Sequence, residues 1–356
     1  PFDPRKIENC GSSLIDILVY YETVIKGRRV FLDFRENTAW GGKDGQLDFS
    51  LLGEEAYTYL KNSNALFGTP IERLAHMNQP AVDLYMNNGI DLNKEMLEIA
   101  VCAQHNNGGL DGNIWWESNL KHFFPVGEVN GTHGVYRPGG SALNSGQVGS
   151  IRAAQYIAKN YRQNPLPEEL FLEKAAAQIE SKINLGRGFL AKLGKTSNVL
   201  DIREQIGERM SRCGAHIRCY EQAKKGAEDA LNQLNTIVDQ TKISSPRELG
   251  LCFQNYDLLL CQFVYLSAIK DYIQQGGKSR GSYLVYDSEG QLPLEHLPEQ
   301  FRFSLALGKD FQDKIQRVYF NKNRCVFTWD PVKPIPKQDD WFEAVWNDYL
   351  QDKIIK

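Results

Sequence analysis

The stretch GEVNGTHGVYRPGGSALNSGQVGSIRAAQYI, residues 127–157, begins with a dense run of glycines around one histidine and one arginine, without lysine. It continues into small and apolar residues typical of a helix that begins near Ala142 or Ser145 and ends near Tyr161. A strand ending in Gly-Glu, a glycine-rich loop and a helix start often present backbone N–H groups to an acceptor. We therefore predict a ligand-binding turn over residues 127–145, which we call the glycine segment.

The residue types of the glycine segment suit an anionic, planar ligand. Arg137 can grip a carboxylate through two parallel hydrogen bonds. Gly139 and Gly140 allow a flat ligand to approach the backbone, and Glu128 can accept a hydrogen bond from a ribose hydroxyl. From these residues alone, a surface loop with an exposed arginine remains the alternative.

Length and composition indicate an ordinary globular protein of two or three packed units, with 356 residues, 42% hydrophobic and 24% charged. A net charge of −3 argues against a nucleic-acid binder driven by electrostatics. The chain has no apolar run long enough to predict a membrane span. Seven scattered cysteines are typical of reduced thiols in a cytoplasmic protein. We predict no metal site, because Cys213, His216 and Cys219 would spread over too wide an arc of a helix.

Periodicity predicts helices and strands along the whole chain. Before the glycine segment we expect helices over 12–26, 51–63 and 70–89 (broken at Pro80), strands over 28–34, 98–104 and 122–129, and a loop over 40–46. After a proline-marked boundary at 164–169, the long helical stretches 202–240 and 246–275 predict an antiparallel bundle. The tail predicts a hairpin around 318–329 and a short final helix.

Several motifs together resemble one family. GE followed by THGVYRPGGSALN (132–144) resembles the GE…HGANRLGSNSL segment of the FAD-dependent succinate dehydrogenase and fumarate reductase flavoproteins, which L-aspartate oxidase shares. GIDLNKEMLEIAVCAQHNNGG (89–109) resembles the family stretch that runs from G-V-D to H-Y-x-M-G-G with the same spacing. GRRVFLDFRE (27–36) resembles the capping-domain strand, and Ser-Arg-Gly at 279–281 follows the last long helix as in the family.

The resemblance covers roughly residues 1–290 and implies a fold of the α+β class. It implies a partial flavoprotein fold, in which a capping-domain piece and the return segment of the FAD-binding domain precede a helical-bundle C-terminal domain. The implied boundaries are a capping or substrate domain over 1–95, the C-terminal segment of the FAD-binding domain over 96–163, the helical domain over 164–278, and a β or irregular extension over 279–356.

The resemblance also implies roles for single residues. Glu128 would hold the ribose of FAD, and Arg137 would bind a substrate carboxylate and act in catalysis. His133 matches a family histidine by position, while a loop histidine bonded to backbone is its alternative. The remaining implied cofactor contacts are Gly139, Gly140, Ser141, Ala142 and Leu143.

Two positions depart from the family pattern. The family histidine that contacts substrate aligns with Gln104, and His105 stands one residue later. Either a bulge brings His105 to the substrate or the Gln104 amide makes the contact, and the ungapped spacing favours Gln104. The family's proton-donating arginine lies in G-P-R-D, whereas Arg5 is followed by Lys6. Arg5 is thus either the implied catalytic acid or a surface residue of the terminus.

No part of residues 1–356 carries the G-x-G-x-x-G strand–loop–helix that cradles the pyrophosphate of FAD. We therefore expect the C-terminal part of a longer FAD-dependent oxidoreductase, inactive alone, with an incomplete FAD site and a missing N-terminal FAD-binding region as partner. Such an enzyme transfers hydride between flavin and a small carboxylate and can dock an electron-transfer subunit. The alternatives are a non-catalytic helical protein-interaction fragment and an activity like that of L-aspartate oxidase.

Overall fold

A computed structural model of the protein describes residues 4–7, 11–39, 42–43, 46–102, 108–134, 140–281, 283–305, 311, 313–321, 323–334, 337 and 339–355. The chain divides into two compact units, the first comprising Gly11–Cys102 and the second Pro1–Cys10 with Ala103–Lys356. Helices dominate, and the strands pair in small two-stranded sheets, which confirms the predicted α+β class. The division into four segments stays a prediction.

Among its described residues, the first unit combines three α-helices with two small antiparallel sheets. The helices are α1 (Ser12–Tyr20, continued by a π-helical turn Tyr21–Ile25), α2 (Glu54–Asn62) and α3 (Pro70–Asn87). The strands are β1 (Val30–Leu32), β2 (Gly42–Lys43), β3 (Gln46–Leu47) and β4 (Leu97–Ile99). β1 pairs with β4 in the register Val30↔Ile99, and β2 pairs with β3.

The ends of α3 follow from its sequence. Thr69 and Glu72 form a capping box ahead of Pro70, which occupies the first helical position. The helix is kinked at Asn78, two residues before Pro80, which confirms the predicted break. It ends at Asn87, and Gly89, two residues later, has a φ of +83°, the left-handed conformation that often follows the end of a helix.

The second unit carries six helices and four strands among its described residues. The helices are α4 (Ser141–Asn160), α5 (Glu168–Leu190), α6 (Val199–Gly214), α7 (Tyr220–Gln240), α8 (Leu249–Gln274) and α9 (Trp341–Leu350). The strands are β5 (Ile217–Arg218), β6 (Leu284–Gln291), β7 (Lys314–Asn321) and β8 (Arg324–Pro331). β5 and β6 pair in parallel, whereas β7 and β8 form the predicted hairpin along their whole length.

Helices α5–α8 form the predicted helical bundle. Its core contains the fully buried side chains of Phe189, Ile237, Leu259 and Leu266. Burying a side chain of this size contributes about 1.5–3 kcal/mol. The apolar side chains that recur along these helices therefore stabilise the packing of the bundle.

Four predictions differ from the structure. The loop expected over 40–46 contains the paired strands β2 and part of β3. The strand expected over 122–129 is wrong, because Gly127 turns the chain with a φ of +77° into a 3-10 turn over Gly127–Val129. The strand expected over 98–104 is limited to β4, and residues 103–107 lie outside the described part of the chain. The stretch 202–240 is two helices, because residues 217–218 leave the helix to pair with β6.

Within the described ranges, no helix combines the length and the apolar character needed to cross a membrane.

Candidate functional site

The N-terminus of α4, which we call the head of the helix, lies at the C-terminal end of the glycine segment. It is close to the predicted start of the helix. The helix begins at Ser141, and Gly140 precedes it with a left-handed φ of +77°. The N–H of Asn144 donates to the carbonyl oxygen of Gly140 at 3.0 Å, which closes the first turn. The N–H groups of that turn have no intrahelical acceptor, so this end attracts negative charge.

The turn at Gly108–Gly109 lies against the start of the glycine segment. The N–H of Leu110 donates to the carbonyl of Val129 at 2.8 Å, and the N–H of Gly131 donates to the carbonyl of Leu110 at 3.0 Å. A Cβ atom on Gly109 would stand 2.3 Å from the carbonyl oxygen of Val129. Glycine is therefore required for this close approach of two backbones.

The turn at Gly127, which begins the glycine segment, also contacts α4. A Cβ on Gly146 would lie 3.5 Å from Cα of Gly127, so the second turn of the helix packs on the turn that carries Glu128. Glu128 itself is exposed. The structure thus brings the Gly108–Gly109 turn, Glu128 and the first turns of α4 into one region.

The glycine segment contains polar side-chain atoms that are buried without a hydrogen-bond partner among the described residues. Among the described residues, the buried side-chain atoms of this kind are Asn130 Oδ1, both ring nitrogens of His133, and Ser141 Oγ. Asn130 is 2% exposed and His133 is 8% exposed. Because a buried polar group without a partner costs free energy, such a group indicates that something else binds there.

A loop with two tryptophans supports α4 from the side. The indole of Trp116 lies so close to Gly149 that a Cβ there would stand 2.5 Å from the ring. The rings of Trp115 and Tyr156 stack with centroids 5.4 Å apart, and the guanidinium of Arg152 lies 4.6 Å from the Trp115 ring centroid. These contacts hold the helix that presents the site.

The C-terminal end of α4 is anchored to the same loop. The hydroxyl of Tyr161 donates a hydrogen bond to the carboxylate of Glu117. That hydrogen bond raises the pKa of Tyr161 to about 12, because ionising the hydroxyl would remove the proton that it donates to Glu117. The loop therefore contacts the helix at both its middle and its end.

Some of the expected site residues lie outside the described residues. They are Gln104, His105, Arg137 and Gly139. For Arg5 the structure gives the backbone, in a 3-10 turn over Pro4–Lys6. Ala142 is partly buried and Leu143 is 69% exposed, both in the first turn of α4. Their roles stay predictions.

Asn130 is a candidate that the sequence alone did not indicate. Asparagine is common in turns, so its position in GEVNG carries no signal of burial. The residue becomes conspicuous because the pairing of residues 110 and 130 buries its side chain.

The described residues of the glycine segment fit one end of an FAD molecule. The unpartnered atoms at Asn130, His133 and Ser141, together with a helix head, suit the polar edge of a flavin and its ribityl or ribose hydroxyls. The sequence of residues 1–356 carries no pyrophosphate-binding loop. The fit is therefore to part of the cofactor.

Comparison with known proteins gives related sequences for part of the chain. Over 158 residues it is 28% identical to a protein of Methanothermobacter marburgensis named as one subunit of fumarate reductase (CoM/CoB), covering 44% of this chain and 26% of that one. Over 204 residues it is 29% identical to an uncharacterized FAD-dependent oxidoreductase of Methanocaldococcus jannaschii, covering 57% of this chain and 35% of that one. No protein-family model matches the chain.

Solved structures share the fold over most of the chain. The FrdA chain of E. coli quinol fumarate reductase matches with a TM-score of 0.58 and 17% identity, over 90% of this chain and 48% of that one. A quinol-fumarate reductase with menaquinol molecules gives the same figures, a TM-score of 0.58, 17% identity, and 90% and 48% coverage.

The chain spans about a quarter to a third of the length of the curated relatives it matches, and about half of the solved chains. Within that span, sequence and fold confirm its resemblance to the flavoproteins of the succinate dehydrogenase and fumarate reductase family.

Proposed function

We propose that the chain forms part of an FAD-dependent oxidoreductase of the fumarate reductase and succinate dehydrogenase type. The reaction is hydride transfer between the flavin and a small carboxylate substrate. Two sequence relatives, one named as part of a fumarate reductase and one as an FAD-dependent oxidoreductase, support the reaction class. The substrate rests on the resemblance around Arg137.

One observation carries the proposal: the buried, unpartnered polar atoms of His133 and Ser141 lie in the segment that resembles the family's flavin-binding motif. A surface loop, the alternative from sequence, would have these atoms in water. Bound FAD would provide partners for them and remove the cost of their burial. Glu128, exposed on the neighbouring turn, is the residue that we expect to accept from a ribose hydroxyl.

The chain's own residues have separable tasks in this proposal. FAD, when bound, supplies the hydride chemistry. The first-turn N–H groups of α4, at Ser141–Leu143, stabilise negative charge at the pyrimidine end of the flavin. Arg137 orients the substrate carboxylate through a bidentate contact.

Two further contacts complete the substrate side. Gln104 or His105 holds a second oxygen of the substrate. Arg5 delivers the proton that accompanies hydride transfer, which requires an enclosed site and a partner that reprotonates the guanidinium, since arginine otherwise stays charged.

The rest of the cofactor site lies, in this proposal, outside these 356 residues. The pyrophosphate needs a glycine-rich strand–loop–helix that this sequence does not contain. The partners we propose are therefore an FAD-binding region that supplies this unit and an electron-transfer subunit, in keeping with the relative named as one component of a fumarate reductase.

The test is the colour of the full gene product that contains this chain. We expect it to purify with bound flavin, giving an absorbance band at about 450 nm, and to release FAD on denaturation. A colourless product that takes up no added FAD contradicts the proposal. Assays with fumarate, succinate and L-aspartate then separate a fumarate reductase activity from an L-aspartate oxidase activity.

A second candidate function, a non-catalytic interaction module, is favoured by one feature of the bundle. An open groove of about 720 Å³ runs between α5 and α8, lined by apolar side chains that include Phe171, Ile183 and Phe253. Such a groove suits a partner helix. A colourless gene product that binds no FAD would favour this function.

A further inference from the structure

The buried asparagine of the glycine segment has no task in the function proposed so far. Asn130 is 2% exposed, and its Oδ1 has no hydrogen-bond partner among the described residues. Its backbone is fixed, because its N–H donates to the carbonyl of Gly127 at 3.2 Å and the residue bridges to Leu110. The side chain therefore cannot reach water by a simple turn of the backbone.

The other end of the same amide is held by packing. A Cβ on Gly112 would stand 2.9 Å from Nδ2 of Asn130, so the amide group lies tightly against that glycine. The small size of glycine at position 112 makes room for Nδ2, and Oδ1 is the amide atom that is buried without a partner among the described residues. An amide oxygen accepts hydrogen bonds and cannot donate one.

A second buried asparagine shows what the fold does when such a residue is structural. Asn255 in α8 is also 2% exposed. Its Oδ1 accepts from Nε of Arg203 at 2.8 Å, and its Nδ2 donates to the carbonyl of Val199 at 2.9 Å. Across the part of the chain that the structure describes, equal burial thus comes with two partners for one asparagine and an unpaired oxygen for the other. The difference separates two roles for the same side chain.

We propose that Asn130 is a cofactor-contacting residue whose Oδ1 accepts a hydrogen bond from an N–H or O–H group of the bound flavin nucleotide. The inference rests on the proposed function and deepens it, because it assigns a residue and the polarity of its contact. Among the described residues, the unpaired His133 nitrogens and Ser141 Oγ lie in the same segment. They support a ligand with several polar groups over a single trapped water, which would bond to only a few atoms.

The test is a matched pair of substitutions in the full gene product, Asn130→Leu and Asn255→Leu. In cofactor-free protein, Asn130→Leu is expected to keep or raise the Tm by up to about 3 °C, because it removes a buried group that has no partner. Asn255→Leu is expected to lower the Tm by about 3–6 °C, because Arg203 and the Val199 carbonyl each lose a buried hydrogen-bond partner.

The second measurement is the Kd for FAD, obtained by titration with flavin fluorescence. Asn130→Leu is expected to weaken FAD binding about five- to tenfold, the loss of one hydrogen bond, whereas Asn255→Leu leaves the Kd within about twofold. Titration of the same variant with FMN tells whether the contact is on the flavin side or the adenosine side, and either result agrees with the inference.

Several results would overturn it. A Tm loss for Asn130→Leu as large as that for Asn255→Leu would show a structural residue or a bound water. An unchanged Kd for Asn130→Leu, where the wild-type protein binds FAD, would refute the contact while leaving the proposed function intact. If the wild-type gene product binds no FAD, the proposed function fails and this inference fails with it.

Discussion

The helical bundle and the glycine segment differ in whether their buried polar groups have hydrogen-bond partners among the described residues. In the bundle, the guanidinium of Arg209 donates to Oε1 of Gln262 at 2.7 Å and to Oε1 of Gln233 at 2.6 Å. In the glycine segment, Asn130 and His133 are buried to a degree similar to that of Gln262 and Gln233, but the unpaired atoms of Asn130 and His133 have no such partners among the described residues. Polar groups that pair with each other fix the packing of a core, whereas unpaired groups remain available for a ligand. The difference suggests that the segment serves function and the bundle serves stability.

The largest expected effect of a single change lies in the bundle. Gln262→Leu removes one of the two acceptors of Arg209 and the donor that bonds to the Ile206 carbonyl at 2.7 Å. We expect a loss of about 2–3 kcal/mol in the free energy of unfolding, because a part-buried charge and a carbonyl of α6 each lose a partner. Urea denaturation followed by circular dichroism measures this.

The matched control is Gln254→Leu. Gln254 accepts from Nη2 of Arg203 at 2.8 Å on the exposed side of α8. We expect a change below about 1 kcal/mol there. Equal losses for the two variants would mean that burial does not distinguish the polar contacts of the bundle.

A somewhat smaller effect is expected from filling the close approach at the candidate site. Gly109→Ala would push a Cβ into backbone atoms of Val129 and Gly131 and separate the two loops. We expect a loss of about 1–3 kcal/mol, since backbone must move to make room. Thermal denaturation of the cofactor-free protein gives the value.

Gly207 in α6 is the contrasting position in the bundle. It is exposed, and a Cβ there would meet nothing within 4 Å among the described residues. Gly207→Ala is therefore expected to stabilise the protein by about 0.5–1 kcal/mol through helix propensity. If Gly109→Ala proved equally harmless, the contact between the 108–110 turn and the glycine segment would be wrong.

Substitutions of Arg137 test the proposed function of the glycine segment, and this residue lies outside the bundle helices. For Arg137→Ala in the full gene product we expect kcat/KM for the carboxylate substrate to fall at least about tenfold, or about 1.4 kcal/mol. Arg137→Lys keeps the charge but loses the bidentate geometry, so its activity should lie between those of the wild type and Arg137→Ala. Turnover that barely changes in either variant would remove Arg137 from the substrate site.

Local signals explain which parts of the fold could be predicted. Three local signals mark the bounds of α3: the capping box that begins at Thr69, Pro70 at the first helical position, and Gly89 beyond the last turn. Each of them acts within a few residues of chain. The alternating pattern around 318–329 was enough for the β7–β8 hairpin, whose strands are close neighbours in sequence. Of the two predicted starts of α4, Ala142 lies one residue and Ser145 four residues after the observed start at Ser141.

Long-range contacts explain the rest. Pairing of residues 217–218 with 284–285 interrupts the helical stretch 202–240, and no pattern near Ile217 reveals a partner so far along the chain. The strand predicted over 122–129 failed because Gly127 adopts a left-handed φ. The burial of Asn130 likewise depends on residues 109–112, so the sequence predicted a ligand segment but did not indicate this residue.

The most direct measurement of the central claim is a crystal structure of the full gene product purified with its flavin. We predict FAD atoms within about 3.2 Å of Ser141 Oγ, of a ring nitrogen of His133 and of Asn130 Oδ1, beside the head of α4. A structure in which these atoms pair with protein groups, and the flavin lies elsewhere or is absent, would contradict it.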